Sequence, residues 1–225
     1  MLRYLLSGNI SIWGVLFMLC GYAVLVLLLL PVHEFAHAYT AYRLGDTTPR
    51  YYGRLTLNPK AHLDPIGALM LVLCGVGYAK PVPVNPAYFR NPKRGMVITA
   101  LAGPLSNLLM AAAALGIFRV ILFFSVSYTA FLEYSYLFLV EVVAGVNISL
   151  AVFNLLPIPP LDGSRIFEPL FPAKWRYSIS RYQQYITTAV MVLILTGALD
   201  VPLDFLHRVV GGALCTVFGM PNLFG

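Results

Sequence analysis

Charged residues are scarce in this chain of 225 residues. Only 11% of the sequence is Asp, Glu, Lys or Arg, whereas 59% is hydrophobic, and the mean hydropathy is +0.78. Because a soluble domain is typically about one quarter charged, this composition excludes an ordinary soluble protein and indicates an integral membrane protein. The apolar runs also lack alternating polar residues, which favours a bundle of transmembrane helices over an outer-membrane barrel.

Cysteine is equally sparse. The three cysteines, Cys20, Cys74 and Cys215, lie far apart in apolar segments, and the sequence contains no CxxC pair. An odd number of cysteines cannot all pair within one chain, so the sequence excludes a disulfide framework. Cys74 as a metal ligand is a weaker interpretation than Cys74 as a small buried hydrophobic residue.

Acidic residues are fewer than basic ones, which leaves a formal net charge of +6. Of the fifteen Lys and Arg, eight lie from Arg43, at the end of the first predicted span, to the start of the second, and four lie between the third and fourth. We interpret this pattern as a determinant of topology rather than as a nucleic-acid surface. The positive-inside rule puts both basic loops in the cytoplasm and both termini outside, which suits a bacterial cytoplasmic (inner) membrane.

The predicted fold class is an all-α polytopic membrane protein with about four long transmembrane helices, at residues 11–44, 95–124, 129–156 and 185–201. We expect the first helix to end at Gly45 and interpret it as a retained span, because its apolar run is too long for a signal peptide. Pro31 inside it is expected to kink the helix and shape the nearby site. We predict a single domain over residues 1–225, with its core at about 12–170.

Three segments outside the long spans have distinct compositions. Residues 46–65 are polar, with a short strand predicted around 54–57. Residues 66–79 are apolar but too short to cross a bilayer, which indicates a re-entrant element or a hairpin. The proline-rich residues 80–94 predict an extended loop, and the chain after residue 201 is expected to be interfacial.

The most informative motif is His33-Glu34-Phe35-Ala36-His37, near the cytoplasmic end of the first predicted span. On a helix, residues i and i+4 share a face, so both imidazoles can reach one metal ion. Glu34 is placed to take a proton from a metal-bound water. Ionisable residues inside a membrane are costly, so a functional role is the default interpretation. Counting from Arg43 at the predicted rim, His33 lies about 15 Å into the membrane.

A catalytic zinc site usually has three protein ligands and one open position. Asp162 is the best candidate for the third ligand, because it follows a run of prolines that prevents a helix after the third span. The alternative is a turn or a helix cap, since Asp-Gly is a common turn pair. When Asp162 is considered alone, the interpretation as a turn residue is favoured. Because the same chain contains an HExxH motif, the interpretation as a metal ligand is favoured instead.

With these motifs, the sequence resembles the site-2 protease family of intramembrane zinc metalloproteases, in its compact bacterial-type branch without a PDZ domain. The first two matching stretches are HEFAHA at residues 33–38 and NLLPIPPLDG at residues 154–163. Two further stretches, AGPLSN at residues 102–107 and NPKAHLDPIG at residues 58–67, also resemble the family. The resemblance extends over roughly residues 15–170.

The resemblance implies one Zn²⁺ per chain, held by His33, His37 and Asp162, with Glu34 as general base. It also implies hydrolysis of peptide bonds within or next to the transmembrane segments of membrane-protein substrates. Asn154 and Asn107 match motif asparagines. Hydrogen bonding to the substrate carbonyl and packing between helices are both open for them.

Further interpretations stay open. His62 is either an auxiliary metal ligand or a hydrogen-bonding residue within a turn. The sequence gives no indication of the oligomeric state. The competing functions are a non-proteolytic zinc-binding membrane scaffold and a metal transporter. The transporter is disfavoured because the sequence shows no repeat symmetry.

Overall fold

The computed structural model describes residues 19–74, 79–125 and 130–225. Within these ranges the regular elements are helices, and the only extended pairing is a single antiparallel bridge between Leu63 and Ala79. The all-α class is therefore confirmed. In chain order the helices are α1 (Leu19–Arg43), α2 (Thr48–Tyr51), α3 (Pro59–His62), α4 (Pro65–Cys74), α5 (Pro92–Phe124), α6 (Phe131–Asn154), α7 (Asp162–Phe167), α8 (Ala173–Arg181), α9 (Gln183–Thr196) and α10 (Asp200–Val217).

Three of these helices, α1, α5 and α6, are long and apolar enough to cross a membrane. The predicted fourth span corresponds to α9, which has 14 residues and is shorter than the roughly 20 residues that a perpendicular span needs. Most of the region expected to be interfacial lies in the 18-residue helix α10, and its interfacial placement stays a prediction. The protein is thus a polytopic membrane protein, and three helices among the described residues have the length and composition of a span.

Helix α1 carries the HExxH motif and ends where the sequence predicted. Its last residue is Arg43, and Gly45 follows with a φ of 107°, a left-handed conformation that favours glycine. The predicted start near residue 11 lies outside the described residues. Directly before Pro31, residues Leu25–Leu29 form a π-helical turn, in which the amide of Leu30 donates to the carbonyl of Leu25. The helix therefore departs from α geometry just ahead of the motif.

The strand predicted around residues 54–57 is wrong. After α2 the chain turns at Gly53, and the amide of Arg54 donates to the carbonyl of Pro49 at 2.8 Å. The Thr56 hydroxyl oxygen then accepts from the amide of Asn58 at 3.1 Å. These local hydrogen bonds compete with a strand, which would also need a partner strand.

The boundaries of the second and third spans differ from the predicted ones by a few residues. Helix α5 begins at Pro92 rather than Gly95, because the side-chain oxygen of Asn91 accepts from the amide of Arg94 at 3.1 Å and caps the first turn. Helix α6 ends at Asn154 rather than Leu156. Its middle, Tyr136–Gly145, is π-helical. The predicted extended loop is correct as far as residue 85, after which Pro86–Tyr88 form a short 3₁₀ turn.

The chain divides into two compact units, Met1–Thr99 and Ala100–Gly225, and the division falls inside α5. The second unit has an apolar core that includes Leu115, Phe118 and Ile148. Here α10 packs along α6, and the Nε2 atom of His207 lies 3.2 Å from the carbonyl oxygen of Gly145. The prediction of one domain stays a prediction.

Candidate metal centre

The two histidines of the HExxH motif meet on one face of α1. Both side chains are buried, and their Nε2 atoms lie 3.1 Å apart. The two rings are nearly perpendicular, at an interplanar angle of 84°. Glu34 follows His33 and is half-buried. The i, i+4 spacing therefore produces the convergence of imidazoles that the sequence predicted for this part of the site.

The backbone of α5 orients the second of these histidines. The Nδ1 atom of His37 lies 2.7 Å from the carbonyl oxygen of Thr99. A carbonyl can only accept, so His37 Nδ1 carries the hydrogen and donates it. In a neutral ring this leaves the lone pair on Nε2, the atom that faces His33. Metal-binding histidines are commonly held in this way, by a hydrogen bond from their other ring nitrogen to a carbonyl or carboxylate.

The donor geometry of this pair fits a zinc ion. Two Zn–N bonds of 2.0–2.1 Å at a tetrahedral angle hold their nitrogen atoms about 3.3 Å apart. The observed separation of 3.1 Å is close to that value. The same separation also suits a hydrogen bond in which His33 Nε2 donates to His37 Nε2. A single proton and a metal ion are therefore alternative occupants of the space between the two rings.

Asp162 lies in the second unit, at the first residue of α7. The N-cap position of α7 belongs to Leu161, which makes no side-chain cap, so Asp162 does not serve as the cap residue. Asp162 is half-buried. Directly after it, Gly163 packs so tightly that a Cβ atom would overlap the carbonyls of Leu155 and Leu156. The turn after α6 is therefore folded closely against the end of that helix, which fixes where Asp162 begins its own helix.

The two motif asparagines have different surroundings. Asn107 on α5 is completely buried, and neither its Oδ1 nor its Nδ2 atom has a hydrogen-bond partner among the described residues. Asn154 at the end of α6 is half-buried, and its Nδ2 atom donates to the carbonyl of Leu150 in the same helix at 3.0 Å. A buried amide with no partner costs free energy, so Asn107 is the one that needs a further explanation.

His62 is buried within the first unit and makes a hydrogen bond inside a turn. Its Nε2 atom lies 2.8 Å from the carbonyl oxygen of Thr56, and its own carbonyl accepts from the amide of Lys80 at 2.8 Å. This contact matches the second of its two predicted roles. The auxiliary-ligand role stays a prediction.

A set of hydrogen bonds joins the two ends of the short segment that contains α4. We call these two ends, residues 61–63 and 79–80, the base of the segment. Arg54 is buried and donates from Nη1 to the carbonyls of Ala61 and Lys80, which lie on opposite sides of this base. The antiparallel bridge between Leu63 and Ala79 joins the same two ends of the segment. The chain enters this segment at Leu63 and returns beside it at Ala79. This return fits both predicted alternatives, a re-entrant element and a hairpin, and the described part of the segment contains a ten-residue helix.

Sequence reasoning missed two residues whose hydrogen bonds shape this unit, Thr99 and Arg54. Thr99 acts through its backbone carbonyl, which every residue has, so no side-chain signal distinguishes it. Arg54 was assigned to the topology signal and to a strand, although it binds backbone carbonyls at the base of the α4 segment. The signal that could have identified Arg54 is its place in a loop that contains several prolines, next to an apolar segment that is too short to span a membrane.

The class defined by these features is a polytopic membrane protein with an HExxH pair arranged for metal binding. Peptidase family M50 matches residues 119–198, a stretch that includes Asn154 and Asp162. The chain is also similar to "Putative zinc metalloprotease YwhC" of Bacillus subtilis, at 39% identity over 73% of this chain and 75% of the relative. "Putative zinc metalloprotease Rip2" of Mycolicibacterium smegmatis is 33% identical over 77% of this chain and 66% of its own length. Rip2 of Mycobacterium tuberculosis is 30% identical over 75% of this chain and 64% of its own length.

No solved structure matches the chain. The similarity to the Bacillus subtilis relative, at 39% identity over three quarters of its length, is sufficient to assign the family. The chain therefore belongs to peptidase family M50, the site-2 protease family of zinc metalloproteases. This confirms the resemblance seen in the sequence.

Proposed function

We propose that this protein is an intramembrane zinc endopeptidase that hydrolyses peptide bonds within or next to the transmembrane segments of other membrane proteins. The observation that carries the proposal is the histidine pair on α1. Its Nε2 atoms converge at 3.1 Å, and the Thr99 carbonyl holds the His37 ring with its Nε2 lone pair facing His33. A membrane helix that only had to pack would not need two buried, mutually oriented imidazoles.

Asp162 is proposed as the third ligand. In the first unit the other carboxylates, besides Glu34, are already bonded to backbone amides: Asp46 to those of Thr48 and Asn85, and Asp64 to those of Ile66 and Gly67. In the second unit the remaining carboxylates are exposed, namely Glu133, Glu141, Glu168, Asp200 and Asp204. Asp162 is the half-buried one, and an aspartate with two histidines is a donor set that suits zinc.

Bound zinc would supply a Lewis acid that activates a water molecule and polarises the scissile carbonyl. The residues of the chain transfer the proton and keep the site oriented. The Glu34 carboxylate takes a proton from the attacking water and delivers it to the leaving amide nitrogen. His37 keeps its orientation through the Thr99 carbonyl during this transfer. The metal stoichiometry that we propose is one ion per chain.

Asn107 is proposed to hydrogen-bond the substrate backbone. Its amide is completely buried without a partner among the described residues, so a substrate carbonyl that accepts from Nδ2 would satisfy a group that is otherwise costly. Asn154 already donates to Leu150, which favours a packing role for it. These assignments separate the two asparagines that the sequence left equivalent.

A helical substrate must unwind locally before its peptide bonds become accessible. The stretch from Ala79 to Asn85 has no helical structure. Its first two residues are held by the bridge to Leu63 and by the hydrogen bonds of Lys80, and the amide of Asn85 donates to Asp46, which leaves residues 81–84 between these contacts. We propose that this stretch offers backbone groups to an extended substrate, in the manner of strand addition. The protein would act in a bacterial cytoplasmic membrane, with both termini outside and the basic loops in the cytoplasm.

The proposal is tested with purified protein in lipid nanodiscs, a synthetic transmembrane substrate and measured zinc content. Glu34→Gln should keep its zinc, and its cleavage rate should fall by a factor of about 10² to 10⁴, the usual contribution of a general base. Glu168→Gln, a change of the same chemistry at an exposed position, serves as the matched control and should cleave normally. Equal cleavage by the wild type and Glu34→Gln would refute the assigned role of Glu34. Absence of cleavage by zinc-loaded wild type on every transmembrane substrate tried would favour a non-proteolytic scaffold.

A further inference from the structure

A glutamate lies in the middle of the third span and is exposed. Glu141 is ten residues after Phe131 and thirteen before Asn154, the ends of α6. A carboxylate at that depth faces the hydrocarbon unless something covers it, and such a placement is costly. The metal centre does not use Glu141, since the proposed ligands and base are other residues. Its position therefore needs its own explanation.

The local helix geometry holds this carboxylate in place. Residues Tyr136–Gly145 are π-helical, so backbone bonds join residues five apart and Tyr136 lies one turn from Glu141. The Tyr136 hydroxyl donates to Glu141 Oε1 at 2.8 Å. No lysine or arginine among the described residues forms an ion pair with Glu141. The hydroxyl satisfies one oxygen, and the other side of the carboxylate stays accessible.

Exposed aromatic side chains precede this carboxylate on α6. Phe131, Tyr134 and Phe138 are exposed by 66%, 69% and 43%. Phe138 and Glu141 are three residues apart within the π-helical stretch, where backbone bonds join residues five apart, so the aromatic side chains are near the carboxylate in the chain but not in line with it. Aromatic faces attract cations, and a carboxylate pairs with them. This part of α6 thus combines exposed apolar area with a binding site for a positive group.

We propose that the exposed face of α6 around Glu141 binds a transmembrane helix of another polypeptide that carries a lysine or arginine within its apolar stretch. Such a partner has the same problem as Glu141, because its basic side chain is costly in hydrocarbon. Pairing the two charges removes both costs at once. The proposal concerns a face of the second unit and is independent of the proposed proteolysis.

A second copy of this chain fits the face less well. Arg119 on α5 is an exposed basic residue of a helix of spanning length in the same unit, but its Nε atom already donates to the carbonyl of Phe218 at 3.2 Å. It also lies only five residues from Phe124, the end of α5, whereas Glu141 is near the middle of α6. In a parallel pair of copies the two charges would therefore lie at different depths.

The test uses the full-length protein, labelled with a donor dye and reconstituted in phosphatidylcholine vesicles. The probes are two acceptor-labelled, leucine-rich transmembrane peptides that differ only in a central Lys or Leu. A chelator is included so that binding is measured without cleavage. Energy transfer should show about tenfold tighter binding of the Lys peptide to the wild type, and equal binding of both peptides to Glu141→Gln. Glu141→Gln keeps an acceptor for Tyr136, and Glu133→Gln, on the same helix, is the control that should retain the preference.

Two results would overturn the proposal. One is an equal affinity of the wild type for both peptides. The other is energy transfer between copies of the wild type that disappears in Glu141→Gln, which would assign the face to self-association instead. Tyr136→Phe, which keeps the carboxylate, should still prefer the Lys peptide, so loss of binding through misfolding is distinguishable from loss of the charge.

Discussion

The Nδ1 atom of His37 lies 2.7 Å from the backbone carbonyl oxygen of Thr99, 62 residues further along the chain. This hydrogen bond fixes which nitrogen of His37 carries its hydrogen and so directs the other nitrogen at His33. It also ties the helix of the HExxH motif to the first turns of the next long helix. The proposed metal centre thus depends on a backbone group as much as on the motif.

The first prediction separates the Thr99 carbonyl from the Thr99 side chain. The hydroxyl of Thr99 is buried without a hydrogen-bond partner among the described residues. Thr99→Val removes this hydroxyl and keeps the carbonyl, so the zinc dissociation constant should stay within about twofold and the stability should stay equal or rise by up to about 1 kcal/mol. His37→Ala should lose zinc binding. Competition titration with a chromophoric chelator measures both; loss of zinc in Thr99→Val would assign the orienting role to the hydroxyl.

The second prediction concerns Asp162, the proposed third ligand. Asp162→Asn replaces a carboxylate oxygen with a neutral amide, which is a poorer zinc donor, so the dissociation constant should rise at least about tenfold, or about 1.4 kcal/mol. Glu168→Gln, six residues further on and exposed, is the matched control and should bind zinc as the wild type does. Metal analysis after dialysis against a chelator series gives the comparison. Full occupancy in Asp162→Asn would move the third ligand to another residue.

The third prediction concerns the base of the α4 segment. Arg54→Met leaves the carbonyls of Ala61 and Lys80 without their donor, at a cost of about 1–3 kcal/mol for two partly buried hydrogen bonds. The amide of Lys80, which donates to the carbonyl of His62, should then exchange its hydrogen faster while zinc content is unchanged. Hydrogen exchange resolved by mass spectrometry reads both sides of the base. Arg54→Lys keeps the charge but not the fork of donors, and should give an intermediate effect. Unchanged exchange in Arg54→Met would contradict a closing role for this side chain.

The parts of the site that the sequence predicted are those governed by local geometry. The i, i+4 spacing of His33 and His37 determines on its own that both imidazoles share a face, because any helix imposes it. Gly45 as the end of α1 is equally local, since its φ of 107° favours glycine. The all-α class followed from long apolar runs, which in a bilayer must satisfy their own backbone hydrogen bonds.

The parts that the sequence did not predict depend on contacts between distant residues or on backbone groups. The Thr99 carbonyl has no sequence signature, because any residue at position 99 would present one. The strand prediction at residues 54–57 failed because the local sequence does not show that the buried Arg54 side chain donates to carbonyls 7 and 26 residues away. The π-helical middle of α6 likewise has no marker in its apolar sequence, and it is the feature that brings Tyr136 to Glu141.

The last prediction tests how strictly the turn after α6 positions Asp162. A Cβ atom at Gly163 would overlap the carbonyls of Leu155 and Leu156, which are backbone atoms and cannot rotate away. Gly163→Ala should therefore destabilise the fold by about 1–3 kcal/mol, as overpacking usually does, and should weaken zinc binding because Asp162 is displaced with its neighbour. Ser164→Ala, which removes only a hydroxyl that donates to the carbonyl of Leu161, is the control in the same turn and should change zinc affinity less. Thermal unfolding with and without added zinc measures both effects, because a ligand that binds the folded state raises its stability in proportion to its affinity. If Gly163→Ala unfolds at the wild-type temperature and gains the same stabilisation from zinc, then the turn has the freedom to relax and does not set the position of Asp162.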